Sequence, residues 1–240
     1  MIDLSPPWLA PYRPQAQRVV ASIQRGAAVA RALNDELPVD KPIRLAAGPL
    51  RFVDAAQLPA GRPYESHIAL TAEVPTRDNR HDLFNGLVWL RFPALKRRLN
   101  ELQAGEIAMR GIGPVRGLLR DALTLFDENG ALLTAPPPLA RALRERDWQG
   151  LFVTQRETWR DAELTLFGHA LLDKLTSPRK AITAHALICD SGADPLGLLS
   201  PERLAAKPFA ALPVLGVPGW CDANETPAFY ADAAVFRPGR

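Results

Sequence analysis

The sequence predicts a helix-rich α+β fold, and three observations predict it. Apolar residues recur at helical spacing in several separate stretches, a few short runs read as β-like, and no internal repeat or low-complexity tract points to another architecture. At 240 residues, with 47% hydrophobic and 23% charged side chains, the composition is that of a globular protein. A chain of this length buries roughly 70 to 75% of its unfolded surface, enough for one sizeable core, so residues 1–240 are expected to form a single domain.

The elements follow in order. Pro6, Pro7, Pro11 and Pro14 predict an extended arm over residues 1–14. Val19, Val20, Ile23, Ala27, Ala30 and Leu33 then repeat at helical spacing, which predicts one amphipathic helix up to Leu37. Ile43 to Leu58 suits short strands or an extended crossing, ended by Pro59 and Gly61. Asp78 or Asn79 can cap a helix to about Arg91, and Pro93 breaks it before Ala94 to Ala104 resumes the pattern, so a kinked pair is expected. Asn129-Gly130 is a dipeptide that accepts the positive φ values of a two-residue turn, and it predicts a β-hairpin over 123–134 with Phe126 opposite Leu133. The triple proline 136–138 leads into a short helix to Arg146. Gln149 to Leu175 carries the longest helical pattern, with Trp159, Glu163, Leu166, Ala170 and Asp173 in one row, ended by Ser177-Pro178. ITAHALIC is β-like, and residues 191–240 form a loop-rich C-terminal segment expected to pack on the same domain.

Charge and cysteine content narrow the function classes. The formal net charge is +3, from 29 Lys and Arg against 26 Asp and Glu, too small an excess to demand a polyanionic partner. Arginine greatly outnumbers lysine, which suits fixed bidentate pairing with carboxylate or phosphate. Basic and acidic residues are interleaved and no RRM, KH or helix-turn-helix signature appears, which argues against a nucleic-acid partner. Cys189 and Cys221 make no CxxC spacing and read as free thiols of a reducing compartment. The amino terminus lacks a basic segment followed by an apolar one, and no window approaches eighteen uncharged apolar residues, so a soluble, cytoplasmic protein without a membrane partner is expected.

Chemistry concentrates between Pro75 and Pro93, where Arg77, Asp78, Asn79, Arg80, His81, Asp82 and Asn85 run straight into an apolar stretch. In a helix His81, Asn85 and Trp89 share one face, presenting an imidazole, an amide and an indole together. General acid/base work needs a tunable group beside a charge partner, so His81, Asp82 and Asn85, with Asp121, are the candidate catalytic residues. Arg77, Arg116 and Arg120 are the candidates for gripping an anionic substrate; Arg116 lies in GIGPVRG, whose backbone N–H groups could approach a phosphate. His81, His169 and His185, completed by Asp82 or Asp121, could hold a divalent metal such as Zn or Fe, although there is no HExxH, no HxH and no i, i+4 histidine pair. The competing reading makes each histidine a locally bonded structural group, His169 with Thr165 or Asp173 and His185 at a strand end. Asp127 and Glu128 read as solvated flanks of the expected hairpin turn, and neither cysteine nor any GxSxG elbow supplies an activated nucleophile.

The stretches FVDAAQLP, YESHI, VPTRDNRHDLFNGLVWLRFPALKRRLN, RGLLRDALTLFDENG, FGHALLDKL, ITAHAL, LPVLGVPGW and FYADAAVFRP resemble the bacterial family of unknown function numbered 3025, from about Arg51 to Arg240. The resemblance implies a single-domain cytoplasmic proteobacterial protein with no assigned activity, cofactor or partner, and therefore transfers no catalytic residue. His67 departs from the apolar or aromatic residue expected in the YESHI block. Two function classes follow from the residues. One is a small-molecule hydrolase with a His/Asp site, metal-assisted or not; the other is a non-catalytic binding or assembly protein whose polar groups are structural clasps. Phosphate-ligand or nucleic-acid binding through arginines is a third and weaker reading.

Overall fold

In the computed structural model, which describes residues 2–111, 117–190 and 192–239, the helical spacings and β-like runs fold as helix-rich α+β. The chain divides into two compact units, one of Met1–Leu4 with Pro11–Thr124 and one of Ser5–Ala10 with Leu125–Arg240.

In the first unit, helix α1 (Arg13–Gln24) carries Pro14 in its first turn, where no N–H is needed, and buries Ala16 and Val19. The single helix expected up to Leu37 is corrected here. Gly26 sits at φ 95°, which ends α1, and a separate α2 (Val29–Asn34) follows. The Asp78 carboxylate accepts from Val29 N at 2.7 Å, meeting one of the α2 orphan donors. Short strands appear within Ile43 to Leu58 as expected, β1 (Arg44–Leu45) antiparallel to β2 (Gly48–Pro49) and then β3 (Arg51–Asp54), which pairs in parallel with a strand not expected from the sequence, β4 (Glu73–Thr76). The Asn34 amide locks onto Phe52 of β3, accepting its N–H at 2.8 Å and donating to its carbonyl at 2.7 Å. Helix α3 (Tyr64–Thr71) precedes β4. Then come α4 (Arg80–Arg91) and α5 (Pro93–Arg110), separated by Phe92 at φ −128°, ψ 54°, which is the expected proline-kinked pair. Every residue of α4 from Asp82 to Leu90 is buried.

The boundary between the units falls within α6 (Leu118–Asn129), and this helix corrects the hairpin expected over 123–134. Neither Asn129 nor Gly130 has a positive φ, so the two-residue turn is never made. What wins is packing. Leu119, Ala122, Leu123 and Phe126 repeat at helical spacing, and in the second unit Phe126 stacks between Phe167 (5.1 Å) and Phe209 (5.5 Å).

Gly130 instead starts β5 (Gly130–Thr134) of a four-stranded sheet in the order β6-β5-β7-β8, wholly within the second unit. β6 (Glu163–Leu166) is antiparallel to β5, β7 (Thr183–Cys189) is parallel to β5, and β8 (Phe209–Pro213) is antiparallel to β7. Helix α7 (Pro137–Glu145) follows the triple proline as expected. The long helix expected from Gln149 to Leu175 is broken up: a π-helical turn at Gly150–Thr154, a 3-10 turn at Arg156–Asp161, then β6, then α8 (His169–Lys174). Aromatic packing dictates that path, because Phe152 stacks on Trp159 (5.8 Å) and Tyr230 (5.1 Å), and the Trp159 indole donates to Leu151 O at 2.9 Å. Residues expected to run extended at the amino terminus include a 3-10 turn at Pro7–Leu9, with Trp8 against Trp220 at 5.9 Å. The C-terminal segment carries α9 (Pro201–Ala205) and β8 between short 3-10 turns. Among the described residues no helix is long and apolar enough to cross a membrane.

Candidate functional site

The polar run ahead of α4 resolves into a capping network. Asn79 is the N-cap, and its Oδ1 accepts from Asp82 N at 2.8 Å. Asp82 in turn takes three bonds from one residue, Arg77: the backbone N–H at 2.7 Å, Nε at 3.1 Å and Nη2 at 2.9 Å. That charge-assisted clasp consumes both carboxylate oxygens and raises the Arg77 guanidinium pKa, so Asp82 acts as a structural anchor for the entry to α4. A cavity of about 540 Å³ opens on the Leu83 side of this helix start, walled by Val20, Ile23 and Val29 with Asp78, Asn79 and Arg80 at the polar end.

The opposite side of α4 carries the row His81, Asn85 and Trp89, as the spacing predicts. His81 is half-buried. The Asn85 amide donates from Nδ2 to the Tyr64 hydroxyl at 3.0 Å, while its Oδ1 is buried without a hydrogen-bond partner among the described residues. Trp89 Nε1 is likewise buried and unpartnered, with the Lys96 ammonium 5.4 Å from its ring centroid. Arg120 and Asp121 lie in the first turns of α6, both half-buried, and Arg120 Nε has no hydrogen-bond partner among the described residues. Arg116 lies outside the described residues.

In the second unit His169 is the first residue of α8 and is buried. Its position follows from Phe167 N and Gly168 N both donating to Gly130 O, at 2.9 and 2.8 Å, which holds the β6–α8 turn against the end of α6. There Nδ1 lies 2.8 Å from Asp127 O, and because a carbonyl oxygen only accepts, Nδ1–H is the donor in this pairing. Nε2 is 3.5 Å from Glu128 Oε2, and Asp127 Oδ2 is 3.7 Å from Nδ1. Both acids occupy the last turn of α6, where the helix dipole is negative and no residue of that turn is basic, so a cation is favoured at this point. Lys174 reaches the same end through a 2.7 Å bond to Asn129 Oδ1. His185, inside β7, is half-buried, and burial, with a smaller contribution from Lys174, pushes its pKa below the ordinary histidine value. Cys189, buried at the end of the same strand, has its thiol pKa raised by burial.

A family model described as a protein of unknown function, DUF3025, matches residues 50–240. The chain belongs to the DUF3025 family. Comparison with curated proteins and with solved structures gives no match. The span that matches the DUF3025 model contains the α4 row, the Asp82 clasp and the His169 turn, whereas α1 and α2 lie outside it. Within this DUF3025 chain Arg77 and Asp82 are brought together, Asn85 meets Tyr64, and His169 meets the acids of α6. His185 joins no group of three possible metal ligands among the described residues. Sequence reasoning set Glu128 aside with the hairpin. The signal that could have recovered it is the Leu119, Ala122, Leu123, Phe126 periodicity, which puts Glu128 at a helix end rather than in a turn.

Proposed function

We propose that this protein is a metal-assisted hydrolase of small molecules, with His169 Nε2 and the Glu128 carboxylate as metal ligands. One observation carries the reading: an imidazole fixed through Nδ1 by the Asp127 carbonyl presents Nε2 to a carboxylate oxygen 3.5 Å away. Two ligands on about 2.1 Å bonds in a tetrahedral shell stand about 3.4 Å apart, so the pair is spaced to share an ion. The backbone carbonyl on Nδ1 is the kind of outer partner that fixes the tautomer of a ligating histidine. Mixed nitrogen and oxygen donors suit Zn or a neighbouring divalent ion, which lowers the pKa of a bound water and so makes hydroxide available near pH 7 for attack on an ester or phosphoester.

The test is metal content and turnover on the full-length, tag-free protein. Near-stoichiometric Zn, Mn, Ni or Fe after reconstitution is expected, falling at least tenfold in affinity in His169→Ala and Glu128→Gln, together with loss of metal-dependent hydrolysis over a panel of chromogenic esters and phosphoesters. His81→Ala and His185→Ala are measured beside them, because the sequence nominates both imidazoles. Sub-stoichiometric metal under every condition, or metal binding untouched by both principal substitutions, overturns the proposal.

A further inference from the structure

In the second unit a pocket of about 410 Å³ opens where α8 ends and β7 begins, walled by Lys174, Arg179, Ala181, Ile182 and Thr183. Small-molecule sites run from roughly 300 to 1,000 Å³, so there is room for a charged group with several carbon atoms beside it. Both charged walls are cations, and no carboxylate among the described residues lines the pocket. The Lys174 ammonium spends one hydrogen on Asn129 Oδ1 at 2.7 Å and keeps two. The exposed Arg179 guanidinium makes no ion pair and no side-chain hydrogen bond among the described residues. Other cations of this unit are answered: Lys180 holds Asp232 at 3.2 Å, and Arg156 holds Glu225 at 2.6 Å. The Lys174 charge reaches as far as His185 on β7, where it is the second cause, after burial, of the lowered imidazole pKa. Two like charges around one hollow repel each other, and an anion between them turns that repulsion into attraction. The main chain fixes the wall, because Ile182 N donates to Arg179 O at 3.0 Å and Ile182 O accepts from Val214 N at 3.0 Å.

We propose that this pocket binds a small dianionic phosphate monoester, with its phosphoryl oxygens between Lys174 Nζ and the Arg179 fork and its carbon part against Ala181 and Ile182. A guanidinium fork can take two phosphoryl oxygens at once, while the ammonium acts as a point charge. Two cations match a double negative charge, whereas a monocarboxylate of similar shape leaves one of them unanswered. Neither His169 nor Glu128 lines the pocket, so the proposal does not depend on a bound metal.

The experiment is isothermal titration calorimetry on full-length protein, treated with chelator and desalted, at about pH 8 and low salt. Phenylphosphonate serves as a monoester mimic that cannot be hydrolysed, and benzoate as the monoanion of similar shape. Phenylphosphonate is expected to bind saturably, at least tenfold more tightly than benzoate, and to weaken severalfold in about 0.5 M NaCl. Lys174→Gln and Arg179→Gln should each weaken it at least fivefold and together abolish it, while Arg144→Gln, at an exposed cation of α7 outside the pocket, should leave it unchanged. Three results overturn the proposal: no saturable binding of phenylphosphonate, benzoate binding as tightly, or binding that survives the double substitution. Both side chains are exposed, so the variants should keep the wild-type circular dichroism spectrum. If the double variant does not, Arg179→Gln alone, which breaks no side-chain bond among the described residues, decides the matter.

Discussion

Gly168→Ala separates steric necessity from chance at the His169 turn. A Cβ built on Gly168 would stand 2.5 Å from Asn129 N, 2.5 Å from Glu128 O and 2.6 Å from Asn129 Cα. All three are backbone atoms at the end of α6, so no side-chain rotation relieves the overlap, and the turn must retreat by close to 1 Å to reach ordinary contact. Gly168 lies at φ −63°, ψ 118°, which alanine adopts freely, so the whole effect is overlap rather than backbone conformation. Overpacking of this kind costs about 1–3 kcal/mol, and the rigidity of the opposing atoms places the variant near the upper end. At roughly 2–4 °C per kcal/mol for a chain of this size, the melting temperature should fall by about 6–12 °C. Urea unfolding followed by circular dichroism gives the free energy, with Gly105→Ala as the control. Gly105 lies inside α5 with nothing within 4 Å of a built Cβ, and that substitution should stabilise by about 0.5–1 kcal/mol. The same retreat should pull His169 from Glu128, so metal affinity should fall along with stability. If Gly168→Ala unfolds within about 0.5 kcal/mol of the wild type, the close approach is not a constraint and the steric account of the turn is wrong.

Other outcomes follow from the same contacts. Asp82→Ala leaves the Arg77 backbone N–H without its partner at the entry to α4 and should cost about 2 kcal/mol in urea unfolding; a neutral result would refute the clasp. Asn224 is fully buried and donates to both Leu215 O and Val217 O at 2.8 Å, so Asn224→Ala should destabilise by about 2–4 kcal/mol, measured the same way. The His185 pKa is lower folded than unfolded, so between those two values the unfolded chain binds more protons and stability should rise with pH. His185→Phe should flatten that slope below about pH 6.5, and an unchanged pH profile would remove His185 as its source. Iodoacetamide at pH 8 should label half-buried Cys221 in the native protein and reach Cys189 only after unfolding, which peptide mass spectrometry resolves.

Much of the first unit was legible in the sequence because its signals are local. Asn79 caps α4, Pro93 divides α4 from α5, and the four-residue spacing of His81, Asn85 and Trp89 is that of the helix formed. The break at Gly26 was missed because the apolar pattern of Val19 to Leu33 continues through it, and only the positive φ of that glycine stops the helix. In the second unit the local signals misled. Asn129-Gly130 is strong turn chemistry, but the Phe126 stack with Phe167 and Phe209 rewards a helix, and those partners lie some 40 and 80 residues further along the chain. Glu163 to Leu166 carries a helical spacing and yet forms β6, because its backbone bonds are taken by Ala131 to Thr134. Contacts so distant in sequence leave no periodicity to read.

The arrangement at His169 depends on those distant contacts. β5 begins at Gly130, the residue directly after α6, so the register of β5 with β6 also sets how far α6 lies from the strand that ends at Leu166. Two residues beyond Leu166 the chain is caught by Gly130 O, which accepts from both Phe167 and Gly168. Between these fixed points there is no slack: the Nδ1 bond to Asp127 O and the 3.5 Å approach of Nε2 to Glu128 both follow from a sheet register and one shared carbonyl. A site held by main-chain geometry is preorganised, which is what a metal centre needs in order to bind without reorganising its ligands. It also means that substitutions which loosen the β5–β6 edge should weaken metal affinity even though they touch neither ligand. Leu133→Ala, which removes a fully buried side chain from the middle of β5 opposite Leu164, should therefore lower both stability and metal affinity. An isosteric change such as Leu133→Met should leave both nearly intact. If Leu133→Ala lost stability but kept full metal affinity, the ligand geometry would have to be set within α6 and α8 alone, and the sheet register would have no part in it.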